Sequence, residues 1–150
     1  DIRARAQEDC AQILQSARLS AQLEVRKNNL AARRRLLDEA FDAALETLCA
    51  ADGKTREAFL ERLVLENAPK DGATLTVCAR DRALCTAKLA DWQEQLGATL
   101  ILSDADGDFD GGVYMSGASY DVDVTYARIL QQVRRDAEPQ IARLLFDVEE

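Results

Sequence analysis

The sequence contains no histidine, only two prolines and seven glycines among its 150 residues, and just 5% aromatics. Without histidine, Ser-His and Cys-His nucleophile pairs and imidazole metal sites are excluded at once. Both prolines, Pro69 and Pro139, and every glycine lie beyond residue 52, so nothing in the first fifty residues breaks a helix. No segment approaches the roughly 20 apolar residues of a membrane span, and the charged first residues do not read as a secretory signal. Basic charge is in deficit: 19 Lys and Arg face 27 Asp and Glu, for a net charge of −8. That balance, with a pI of about 4.7, argues against a nucleic-acid or anionic-membrane surface, which needs a basic footprint.

What is present is alanine, leucine and charge. Hydrophobic residues reach 47% and charged residues 31%, a mixture that favours long helices over sandwiches or barrels. The length fits one compact domain, or a smaller domain with an extended element. The four cysteines, Cys10, Cys49, Cys78 and Cys85, lack the close pairing of a zinc site and are read as reduced thiols used as small apolar residues. This points to the cell interior. Opening at Asp1 inside a helical pattern, the chain reads as a fragment whose helix began earlier.

Residues 1 to about 50 are expected to form one helix about 75 Å long, stopped at Asp52-Gly53 with the glycine left-handed. An eleven-residue repeat organises its apolar positions. Stepping 4-4-3 gives Ala6, Cys10, Leu14, Ala17, Ala21, Val25, Asn28, Ala32 and Leu36, of which only Asn28 is polar. A strict heptad from Cys10 meets Glu24, Asn28 and Arg35. The longer repeat therefore wins, and it implies a right-handed supercoil with a partner helix through a close-packing alanine seam. Near Leu37 the stripe changes phase to Leu37, Phe41, Ala44, Leu45 and Leu48, a face suited to docking on a globular body. The expected organisation is thus a stalk helix over 1–50, docked from about residue 37, and an α+β domain over 51–150.

Within that domain, a second helix is expected from an N-cap at Thr55 to about Asn67, closed by Pro69 and Asp71-Gly72. Ala73 to Ala79 reads as a strand, Asp81 to Leu96 as a helix closed by Gly97, and Ala98 to Leu102 as a short strand. Gly112 to Ser116 and Tyr120 to Val124 form a hairpin. Thr125 to about Asp147 is a final helix, with Pro139 inside it as a site for a kink. The fold class is α+β: a long N-terminal helix, then about four strands flanked by helices.

Motifs that imitate chemistry are weak. Gly112-x4-Gly117 lacks the lysine of a phosphate loop, Ala118 standing in its place. Asp106-x-Asp108-x-Asp110-Gly111 begins like a calcium loop but has Gly117 where a bidentate glutamate belongs. It reads as an exposed acidic loop. Arg26, Lys27, Arg33, Arg34 and Arg35 form a basic block, read as a solvated face or the counterpart of an acidic helix. No catalytic, cofactor-binding or metal-ligating residue is nominated, and no cofactor is expected.

Several stretches nonetheless resemble the E subunit of V-type and A-type ATPases. They are Arg33-Arg34-Arg35-Leu36-Leu37 after an alanine-rich helix, Gly111-Gly112-Val113-Tyr114-Met115, the turn Ser116-Gly117-Ala118-Ser119, and the strand Tyr120 to Val124. The junction Asp123-Val124-Thr125 follows, with Val124 where the family carries asparagine, and the end brings Ile141 and Leu144-Leu145-Phe146. The resemblance implies a non-catalytic peripheral-stalk protein, cytoplasmic and peripheral to the membrane. Its expected partners are the helical G protein of the stalk (termed H in some archaeal systems), the A and B proteins of the catalytic head, and the membrane sector at the distal end. Isolated from its helical partner, an uncovered alanine stripe is expected to pair with a second copy. Competing readings are a stator of a flagellar or type III export ATPase, and a calcium-binding module.

Overall fold

An uninterrupted run of helix-forming residues gives α1, Ile2–Cys49, 48 residues without a proline or glycine. The structure, a computed structural model, describes residues 1–146, without the side chains of Ala142, Leu144, Leu145 and Phe146. The Leu144-Leu145-Phe146 side chains and Asp147 therefore lie outside the described residues. Two compact units divide the chain: Asp1–Ala40 with Ala142–Glu150, and Phe41–Ile141. In the first, α1 exposes nearly every side chain except Leu37, which is buried.

The second unit is built from α2 (Gly53–Asn67), β1 (Ala73–Val77), α3 (Arg82–Leu96), β2 (Leu100–Leu102), β3 (Gly112–Gly117), β4 (Asp121–Thr125) and the start of α4 (Tyr126–Phe146). The α+β class and the four strands agree with the sequence reading. Strand order is β2-β1-β3-β4, with β1 and β2 parallel and the other pairs antiparallel. Helix α3 is thus the crossover of a β-α-β unit, the connection that parallel neighbours require. Ala73, Leu75, Val77, Leu100, Val113 and Met115 bury one sheet face against Leu60, Leu63 and Val64 of α2 and Cys85 and Trp92 of α3. The alternate positions Thr74, Thr76, Tyr114, Ser116, Asp121 and Asp123 are half-buried or exposed, the wet second face common in antiparallel sheets.

The start of α2 corrects the expected capping. Thr55 is not the N-cap; Asp52 is, its Oδ1 accepting from the Thr55 backbone N–H at 2.7 Å. Gly53 is the first residue of α2 and not a left-handed stop; the positive-φ glycines are Gly72, Gly97 and Gly112. The carboxylate three residues ahead of an orphan amide satisfies it better than the threonine hydroxyl could. Strand β1 ends at Val77, two residues early, because the Cys78 carbonyl turns to accept from Asp81 N–H. Strand β2 likewise starts later, at Leu100, after Gly97 closes α3 in the left-handed conformation. Helix α4 continues through Pro139 as one element.

Candidate functional site

The stripe expected to meet a partner helix lies wholly on α1. Ala6, Cys10, Leu14, Ala17, Ala21, Val25, Asn28 and Leu36 are exposed, and Ala32 is half-buried. On a 3.6-residue helix the 4-4-3 spacing keeps all nine on one strip. Leucine and valine left in water at regular spacing represent unclaimed hydrophobic free energy, roughly 25 cal/mol per Å² of apolar surface once covered. Chemically such a strip can only pack. It offers no nucleophile, acid or base apart from the Cys10 thiol.

The most deeply buried ion pair among the described residues was not legible in the sequence. Asp81 is completely buried and pairs with Arg56 of α2, whose side chain is 16% exposed. The Cys78 thiol donates to the other carboxylate oxygen of Asp81 at 3.3 Å. Arg80 reaches in the opposite direction, donating from Nη1 to the Cys49 carbonyl at 2.8 Å and from Nη2 to the Asp110 carbonyl at 3.1 Å. Together these bonds tie the last turn of α1, the β1–α3 turn and the acidic loop. Tyr126 lies beside this network with its ring 5.7 Å from that of Phe59, and burial pushes its phenol upward. Gly111 is required there, since a Cβ would come within 2.3 Å of the Tyr126 ring. Apart from the buried Arg56 Nε, which meets no acceptor, the charged groups of this cluster are paired within the fold, so it reads as a brace. The only hint in the sequence was the pair Arg80-Asp81 at a helix start.

The acidic loop is tied in the same way. Asp106 pairs with Arg82, whose Nη1 also donates to the Ser103 carbonyl at 2.8 Å. The Gly107 N–H bonds the Val77 carbonyl at 2.9 Å. Among the described residues no group of three His, Cys, Asp or Glu side chains is arranged to hold a metal. Gly112-x4-Gly117 is strand β3 from end to end, which leaves no loop to cradle a phosphate. Cys85 is buried, and desolvation raises its thiol to about 11, with Cys78 adding to the shift and Arg82 opposing it. All four cysteines are free. A groove of about 230 Å³ lies between the last turns of α1 and the start of α4, lined chiefly by Phe41, Leu45, Leu130 and Arg134. There the Arg134 guanidinium sits 5.5 Å from the centre of the Phe41 ring.

No helix among the described residues is long and apolar enough to cross a membrane. Residues 1–146 match the family model described as ATP synthase (E/31 kDa) subunit. The E subunits of the V-type proton ATPases of two Clostridium botulinum strains, Eklund 17B and Alaska E43, are 22% and 21% identical over 130 residues. Those matches cover 85% of this chain and 66% of each relative, so the chain spans just under two thirds of their length. The E subunit of the A-type ATP synthase of Methanococcoides burtonii is 26% identical over 148 residues, 97% of this chain and 75% of that protein.

Proposed function

Because the chain belongs to the ATP synthase (E/31 kDa) subunit family, we propose that it is a non-catalytic peripheral-stalk component of a rotary V/A-type ATPase. The observation that carries this reading is a 48-residue helix whose regularly spaced apolar stripe stays exposed on the chain by itself. A lone helix bends easily. Two helices packed along such a seam resist bending and twisting together, as a stator must when it holds a catalytic head against a turning rotor. In this reading residues 1–50 are the stalk and 51–150 the head-binding domain. The partner helix is the small helical stalk protein, seated on Ala6, Cys10, Leu14, Ala17, Ala21, Val25, Asn28, Ala32 and Leu36. The head proteins contact the α+β domain, the membrane sector lies at the distal end, and the protein works at the cytoplasmic face of the membrane. Proton or sodium transport stays coupled to ATP turnover because the head cannot rotate with the rotor.

The test is co-purification of this chain with the helical stalk protein of the same ATPase, with and without the double substitution Ala17→Glu/Ala21→Glu. A one-to-one complex of increased helicity, lost on introducing the two charges, is the expected result. A complex indifferent to them would remove the alanine stripe from the interface. No complex at all would defeat the stalk reading.

A further inference from the structure

Helix α1 carries a second apolar band that the alanine stripe does not include. Leu19, Leu23 and Leu30 are 54%, 65% and 65% exposed, whereas Leu37, at the end of the same band, is 5% exposed. From Leu19 the steps 4-3-4-4-3 visit Leu19, Leu23, Arg26, Leu30, Arg34 and Leu37, another eleven-residue pattern. At about 98° per residue its centre lies roughly 160° around the helix from the alanine stripe. One helix packed on the alanine stripe would therefore leave these leucines in water.

We infer that this band is a second helix-docking face, and that its occupant is an acidic amphipathic helix of another protein in the assembly. The inference rests on the stalk reading only for the complex in which the occupant is found. Charge selects the occupant. Two of the six band positions are Arg26 and Arg34, Lys27 flanks them, and the only acidic residue between positions 19 and 37 is Glu24, about 130° away from the band centre. A second copy of this chain would add more arginine to the seam and no carboxylate to meet it, and burying unpaired charges is strongly unfavourable. Carboxylates on the facing helix would neutralise them. The geometry also selects a helix over a lipid surface. The exposed part of the band, Leu19 to Arg34, covers only about 65° of the helix surface over about 22 Å, whereas interfacial helices present a broad apolar face.

The test places the photocrosslinker p-benzoylphenylalanine at Leu23, and in a separate preparation at Leu14 on the alanine stripe, in the assembled ATPase complex. The expected result is a Leu23 adduct that mass spectrometry maps to an acidic amphipathic helix, with the Leu14 adduct on a different helix face. Charge reversal by Arg26→Glu/Arg34→Glu should then lower the Leu23 yield about tenfold and spare the Leu14 yield. A Leu23 adduct to lipid, to a second copy of this chain or to nothing, with Leu14 still crosslinking, overturns the second face and leaves the stalk reading standing. A Leu23 adduct without one from Leu14 keeps the second face and removes the alanine stripe as the partner seam. Adducts from neither position overturn both.

Discussion

The guanidinium of Arg56 meets a carboxylate of Asp81 from which water is wholly excluded. The two residues are 25 positions apart, one on α2 and one in the turn that opens α3, so their pairing fixes one helix against the other. Asp81 also takes the Cys78 thiol proton donor, which leaves little of its charge unanswered.

Removing one partner of such a pair strands the other as a buried charge. Arg56→Ala should lower unfolding free energy by about 3–5 kcal/mol, read from urea denaturation. Arg62→Ala, which breaks the exposed Arg62–Glu66 pair on the same helix, should change it by less than about 1 kcal/mol. Equal effects from the two substitutions would show that Asp81 is rehydrated when Arg56 is lost.

Gly53 and Gly112 should respond to alanine in opposite senses. A Cβ on Gly53 meets nothing within 4 Å, and its φ is not positive. Gly53→Ala should therefore stabilise by about 0.4–1 kcal/mol through the unfolded chain. Gly112 has φ +85, and a Cβ there would lie 2.4 Å from the Val124 carbonyl oxygen, so Gly112→Ala should cost more than about 1 kcal/mol. Thermal melts of the two variants against the parent decide the matter.

Asp52 and Asp121 titrate below the usual carboxylate value. Thr55 lowers Asp52, and the hydroxyls of Tyr114 and Ser116 lower Asp121. A depressed folded value means stability that is present above the unfolded value of 3.8 and lost as pH falls through the folded one. Asp52→Asn and Asp121→Asn should thus be less stable than the parent at pH 7, with the gap narrowing at pH 3. A gap that persists undiminished in acid would mean that shape, and not charge, sets these contacts.

Thiol labelling should be ordered by burial. At pH 8 Cys10, exposed on α1, should react first. Cys85, buried and raised to about 11, should stay unmodified until the unit unfolds. Because burial favours its neutral form, the associated stability is complete below pH 9 and declines as pH approaches 11. Mass spectrometry of the labelled peptides reads the order directly.

The long helix was legible because its signal is local: no proline or glycine, and a period that recurs over thirty residues. The strands were legible to within two residues for the same reason. Strand order was not, since nothing in Ala73–Val77 records that β1 pairs with β2 on one side and β3 on the other. Asp52-Gly53 misled because the same dipeptide can end one helix or cap the next, and only the amide of Thr55 distinguishes them. The Arg56–Asp81 brace spans too much sequence to leave a periodic trace. On α1, spacing identified candidate contact positions, but a seam and a wet surface have the same local pattern until a partner is supplied.

Trp92 is the single tryptophan of the chain, and it is completely buried in the core formed by the sheet with α2 and α3, its Nε1 without a hydrogen-bond partner. Its emission therefore reports the unit Phe41–Ile141, while ellipticity at 222 nm is weighted by the residues of α1 in the other unit. The two optical signals divide the molecule as the contacts do. On heating the isolated chain, ellipticity should begin to fall before the fluorescence shifts, so that the curves fail the coincidence expected of a single cooperative transition. Covering α1 with the proposed partner helix should bring them together, which makes one native indole a built-in gauge of that pairing.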